Sequence, residues 1–224
     1  MKRTPLVLAL ACAALLVAAP ALAQQEISKV NGSIVAQAGK PYGDVETVNG
    51  SITVETGARV EDAETVNGSI RAGSDVIANS LSTVNGGIRI GERARVSGGV
   101  ETVNGGIFID RGGSIGGDVS TVNGAIGLVD MDVAGGISTV SGDVTVGVDS
   151  HVRGGITVNR PTSNWFPVQI SKRKPKIVIG PGAVVEGELK FEREVTLYVH
   201  ETARTGKVTG ATPVAYATAT SPSD

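Results

Sequence analysis

Residues 47–65, TVNGSITVETGARVEDAET, decide the fold. Aliphatic side chains recur here at intervals of six, Val48, Val54, Val60 and on to Val66, with Ile52 and Ala58 four residues after the first two. Three six-residue sides close an 18-residue turn, which predicts a triangular coil whose sides are short strands and whose corners are tight bends. Ile52-Thr53-Val54 has the period-two alternation of a strand buried on one face. Its equivalents are Ile34-Val35-Ala36, Ile88-Arg89-Ile90, Ile107-Phe108-Ile109 and Val144-Thr145-Val146. The middle residue varies between polar and apolar while its neighbours stay aliphatic, so the middle faces out.

The same phrase recurs along the chain. Val-Asn-Gly stands at 30–32, 48–50, 66–68, 84–86, 103–105 and 122–124, followed by the degenerate copies Val140-Ser141-Gly142 and Val158-Asn159-Arg160. Successive Asn positions are 18, 18, 18, 19, 19, 18 and 18 residues apart. A fixed period of this size marks stacked units that cannot bury their apolar faces alone. The expected architecture is all-β, a single-stranded parallel β-solenoid of roughly 8 to 10 rungs. Both hands accommodate such a coil, so handedness is left open.

Composition agrees. Glycine is abundant, at 31 of 224 residues, and aromatics make up only 3%. A layered core would want more bulky side chains, whereas a narrow tube lined with Val, Ile and Ala does not.

The first 23 residues read as a signal peptide: Lys2 and Arg3, an apolar run from Leu6 to Ala19, and the small-residue site Ala21-Leu22-Ala23. Cys12 lies inside the apolar run, which favours cleavage over lipid attachment. Loss of Lys2 and Arg3 from 20 basic residues leaves 18 against 22 acidic ones, a net charge of −4, which argues against a general nucleic-acid binder. No second apolar stretch is long enough to span a bilayer. The expected location is exported: periplasm, outer-membrane surface or extracellular space.

Repeats are expected over 24–159, an inserted basic and aromatic loop over 160–176, C-terminal rungs and a cap over 177–210, and a flexible tail over 211–224. Phe191 and Tyr198 are the expected cap. Three sets of residues are candidates for recognition. Lys172, Arg173, Lys174 and Lys176 place four cations within five residues, a candidate polyanion site. Trp165 and Phe166 beside them are candidate stacking residues. Thr47, Thr65, Thr83, Thr102, Thr121, Thr139 and Thr157 each precede the recurring Val (or Val158), forming a candidate surface ladder. That column is open to two readings, a β-branched ladder suited to strands or a flat surface matching ice or a polysaccharide. Asn31, Asn49, Asn67, Asn85, Asn104 and Asn123 are expected as a structural corner ladder, bonded rung to rung, with Asn-Gly supplying positive φ.

Catalytic, cofactor and metal residues are not expected. His151 and His200 are the two histidines, and neither sits in a recognisable acceptor motif. Asp130, Asp132 and Asp143 form the nearest acidic cluster, read as solvated turn residues.

The repeated T-V-N-G-[SGA]-I phrase, grading into Thr139-Val140-Ser141-Gly142-Asp143-Val144, resembles the bacterial adhesin-type β-solenoid repeat family. Its period and Gly-rich corners are also similar to bactofilins, the polymer-forming cytoskeletal proteins. The resemblance covers residues 28–158 and more loosely 177–203. With the resemblance carrying the architecture, the signal, the regular rod and the lack of a catalytic motif make the expected function a non-catalytic envelope protein with a structural or adhesive role, binding a cell-surface polysaccharide or a protein. The alternative is a self-assembling bactofilin-like polymer, with an ice-surface or polysaccharide-active protein behind both. The export signal departs from bactofilins, which act in the cytoplasm.

Overall fold

A computed structural model describes residues 24–161 and 173–220. The signal-like segment, Trp165, Phe166 and Lys172 lie outside the described residues. The rest is all β: a parallel β-solenoid of about ten coils whose strands stack into three sheets, with no helix among the described residues.

One coil shows how the sequence makes the fold. Asp62–Asn67 lies on face A, Ile70–Ala72 on face B and Ile77–Ala78 on face C, before Ser80–Asn85 returns to face A. Each strand pairs in parallel with its counterpart one coil on: Ala63 with Leu81, Ile70 with Ile88, and Ala78 with Val96. Faces A and B each stack ten strands and face C seven. The core is a column of aliphatic side chains from all three faces, for instance Ala63, Ile70 and Ala78, almost fully buried. Fully burying such side chains stabilises the coil by about 1.5–3 kcal/mol each for Val, Leu or Ile.

The Val-Asn-Gly corner joins faces A and B, and it inverts part of the hydrophobic reading. Val48, Val66, Val84 and Val103 point outward, with 36–41% exposure, while the preceding Thr47, Thr65, Thr83 and Thr102 are buried at 4%. The reason is a hydrogen bond. Thr65 Oγ1 donates to the Gly50 carbonyl one coil back at 2.8 Å, and Thr83 and Thr102 do the same to Gly68 and Gly86 at 2.9 Å. Buried valine at that position would leave the carbonyl short of a partner. Val45 and Thr47 point in, and the chain turns after them.

Thr65→Val tests this. It keeps the volume and removes the donor, and should cost about 1–2 kcal/mol, seen as a lower denaturation midpoint with an unchanged slope.

Glycine at this corner answers to space rather than to φ. Gly50, Gly68, Gly86 and Gly105 lack the expected positive φ; of the repeat glycines only Gly32 and Gly124 have it. A Cβ on Gly68 would stand 1.9 Å from the Gly50 carbonyl oxygen. Positive φ belongs instead to the corner between faces B and C, at Gly39, Gly57, Asp75, Arg93, Gly112, Asp130, Asp149 and Gly182. Asp75 and Arg93 accept that conformation and pair across coils, Arg93 Nε and Nη2 each donating to an Asp75 carboxylate oxygen at 2.8 Å. This two-pronged hydrogen bond holds the exposed Asp75 carboxyl below its ordinary range.

The 19-residue spacing arises at the third corner. Ala78 and Leu81 are three residues apart, but Val96 and Val100, and Ile115 and Val119, are four apart. The coil from Leu128 to Val133 loses a residue between faces B and C and returns to 18.

Three expectations change in the C-terminal half. Thr139 pairs with Val158, so Thr157 leaves the threonine column and aligns with Ser138. The last degenerate copy is therefore one residue out of phase with the repeat. Val158 and then Phe191 take over the buried threonine position. Residues expected as a flexible tail form the strand Pro213–Tyr216, paired with Thr196–His200. Tyr198 is not a cap but faces outward beneath Lys176, whose Nζ is 5.3 Å from the ring centroid. Tyr216 closes the end instead: it is buried, its hydroxyl donates to the Ile179 carbonyl at 3.2 Å, and it meets His200 edge-on at 5.0 Å. Leaving an open apolar tube end to water would expose the core, which gives the tail a reason to wind on as a further coil.

Candidate binding surfaces

Each face presents an outward column of side chains at the strand spacing of about 4.8 Å. On face A this column runs Glu46, Glu64, Ser82, Glu101, Ser120, Ser138, Thr157 and Lys190, set by strict pairing from coil to coil. The exposed Val48, Val66, Val84 and Val103 lie beside it, one turn of pleat from the buried threonines. The two columns border a shallow groove of about 380 Å3 running from Ser82 and Val84 to Ser138 and Val140. The threonine ladder expected at the surface forms its inner wall rather than its contact surface.

The asparagine column stands at the edge of this strip. Asn49 Nδ2 donates to Asn31 Oδ1 at 3.0 Å, Asn67 to Asn49 at 2.9 Å, and Asn85, Asn104 and Asn123 each to the preceding Asn at 3.0 Å. Every bond runs toward the N-terminus, so the column is a polarised chain of amides that fixes the coil register.

Among the described residues, the cations of the inserted segment are engaged within the chain. Arg173 pairs with Asp143, Lys174 Nζ reaches Glu194 at 2.8 Å, and the Lys176 amide donates to Asp143 Oδ1 at 2.8 Å. Arg193 Nη1 donates to the Val140 carbonyl at 2.9 Å, and Arg160 Nε to the Glu192 carbonyl at 2.7 Å. The insertion replaces the corner between faces A and B, where stacked glycines would otherwise bond coil to coil. These side chains supply the bonds that the missing corner does not. Sequence alone showed the cations but not their partners, because Asp143 and Glu194 are distant along the chain.

Lys190 donates to Glu192 at 2.7 Å and, with the Arg160 amide, holds that carboxyl below its ordinary value of 4.5. Lys174 does the same for Glu194, also from 4.5. Both folded values are lowered, so the stabilisation is complete above the unfolded value and is lost as the pH falls through the folded values. The pairs are exposed, so the effect is local rather than global. Hydrogen exchange at residues 173–176 should therefore quicken on acidification, after correction for intrinsic rates, while exchange at 88–90 stays unchanged.

Face C carries the charged side chains that come closest to a chemical constellation. Arg95, Ser114, Asp132 and His151 stack in one outward column. His151 Nε2 lies 2.7 Å from Glu186 Oε1, and its Nδ1 lies 3.7 Å from Asp132 Oδ1. A trough of about 350 Å3 beside them is floored by Ser114, Gly116 and Ala134, with Arg95 and Arg153 at its margins. His200 is apart from this group, buried with Thr202 Oγ1 2.9 Å from its Nδ1. Asp130 serves its corner at φ 48°, and Asp143 is taken up by Arg173, so the three aspartates do not converge on one site. On face B, Arg89 lies 5.1 Å from the centroid of the outward Phe108 ring.

Comparison with known proteins returned no match, whether to family models, to curated proteins or to solved structures.

Proposed function

We propose that this chain is a non-catalytic, exported envelope module with a structural or adhesive role, and that face A binds an extended surface polysaccharide. One observation carries the reading: the continuous pairing of an exposed valine column with a hydroxyl and carboxylate column over successive coils. Sugar rings have apolar faces and polar rims, so such a strip offers valine to the ring face and Ser, Glu and Asn oxygens to the hydroxyls. Its repeat along the solenoid axis suits a polymer rather than a compact ligand. Glu46, Glu64 and Glu101 bias the first half of the strip against polyanions, which favours neutral or cationic glycans. The resemblance to adhesin-type repeats and the signal-like first 23 residues point the same way.

The test is co-sedimentation of the chain with isolated envelope glycans. Val84→Glu and Val103→Glu should each weaken binding about tenfold, matching the loss of one apolar contact of this size. Ile77→Glu, an exposed apolar residue on face C, should leave it unchanged. Equal binding by all three variants and the parent excludes face A, and binding only to envelope proteins replaces the glycan with a protein partner.

A second reading, the self-assembling structural polymer, is favoured by the open strand edges. Gln25–Asn31 is largely exposed at one end of face A, and Val208–Thr209 ends the other. A second copy stacked there would continue the parallel sheets. Light scattering across a wide concentration range, with electron microscopy of the same samples, separates the two: growing filaments support the polymer, and a constant mass supports the binding module.

A further inference from the structure

Six Asn-Gly pairs line one corner of the solenoid, and Asn-Gly is a sequence in which the main chain can attack its own side chain. The glycine nitrogen adds to the asparagine Cγ, a carbon–nitrogen bond forms, and ammonia leaves with the proton that the glycine gives up. Water then opens the resulting five-membered imide at either carbonyl, leaving aspartate or isoaspartate. The step needs a glycine N–H free of other bonds and an asparagine side chain able to turn toward it.

Five of the six pairs are held against both requirements. The amides of Gly32, Gly50, Gly68, Gly86 and Gly105 donate to the asparagine carbonyl of the next coil at 2.8, 3.0, 3.1, 3.0 and 2.9 Å. The side-chain oxygens of Asn31, Asn49, Asn67, Asn85 and Asn104 each accept from the next asparagine. The sixth pair is different because the following coil has Ser141 where an asparagine would continue the column. The backbone ladder still reaches Ser141 N, which donates to the Val122 carbonyl at 2.9 Å. Pairing of this edge of face A stops at Ser120 with Ser138. Among the described residues no hydrogen bond engages Gly124 N or Asn123 Oδ1.

We propose that Asn123-Gly124 is a self-modification site, the one place where this fold converts its own asparagine column to aspartate or isoaspartate. The product cannot donate to Asn104 Oδ1 as the amide does, so the column loses its last bond. Isoaspartate also lengthens the main chain by one methylene at a corner with no room for it: a Cβ on Gly124 would already stand 2.0 Å from the Gly105 carbonyl oxygen. The modification therefore loosens the junction between the coils of Asn104 and Asn123. It is a slow record of the age of the folded chain.

The experiment is incubation of the full chain in mildly alkaline water enriched in oxygen-18, with peptide mapping by mass spectrometry at each of the six pairs. Imide opening takes up one labelled oxygen, so conversion is read site by site. Asn123 should convert at least about tenfold faster than any other site, since the other five need local opening first. In denaturant all six should convert at similar rates. Ser141→Asn extends the column by one coil and should bring the rate at Asn123 down to that of the others. In that variant the new pair at 141–142 should itself be slow, because the Gly142 amide is held by Thr139 Oγ1 at 3.0 Å. Even conversion across the six native pairs, or a faster site elsewhere, overturns the proposal. So does an undiminished Asn123 rate in a folded Ser141→Asn chain.

Discussion

Ile70→Asp is expected to abolish the cooperative unfolding transition, while Val66→Asp, four residues earlier in the same phrase, leaves it close to the parent. Both positions are aliphatic members of the repeat, and hydrophobicity alone ranks them together. Ile70 is 0% exposed and stacks between Ile52 and Ile88, whereas Val66 is 40% exposed. Aspartate at 70 loses the burial of the isoleucine and places a carboxylate among aliphatic side chains with no partner. The sum exceeds about 5 kcal/mol, comparable to the whole stability of many domains. Each coil contacts only its neighbours, so a failed third coil also parts the coils on either side of it. Aspartate at 66 sits in water and should cost less than about 1 kcal/mol. Circular dichroism during chemical denaturation reads both. A parent-like transition for Ile70→Asp, or loss of folding for Val66→Asp, would show that the assignment of inner and outer faces is wrong.

Gly68→Ala should cost about 3 kcal/mol or more, because the added methyl meets backbone that cannot yield. Its Cβ would lie 1.9 Å from the Gly50 oxygen and 2.5 Å from the Gly50 carbonyl carbon. The same carbonyl accepts the Thr65 hydroxyl, so moving it breaks a second bond. Gly57→Ala is the informative comparison. Nothing lies within 4 Å of a Cβ there, but φ is +69°, so only the left-handed penalty of about 1–2 kcal/mol applies. Denaturation midpoints should rank the parent above Gly57→Ala and Gly57→Ala above Gly68→Ala. If the order of the two variants reverses, close coil stacking is not what selects glycine in Val-Asn-Gly.

The same contrast between local chemistry and stacking divides what could be read in advance. The 18-residue recurrence and the Ile-x-Val alternation established a parallel solenoid, because burial on one strand face repeats with the chain itself. The asparagine column could also be anticipated, since equal spacing brings equal residues together whatever the handedness. The candidate surface was less legible. Valine looked inward and the threonine column was open to two readings because the Gly50 carbonyl, the acceptor that draws Thr65 inside, comes within reach only once coils are stacked. Arg173 and Lys174 looked like a patch because Asp143 and Glu194 are near them only in space.

Sequence by itself therefore determined the coil, its period and the place of the Asn-Gly corner, all of which depend on neighbours along the chain or one repeat away. Tertiary structure alone decided which side of each corner faces water, where the repeat slips by a residue at Val158, and that Tyr216 closes the tube. These turn on the satisfaction of carbonyl groups and the covering of an apolar end. Neither demand exists in a single repeat; both arise when one coil is laid on the next.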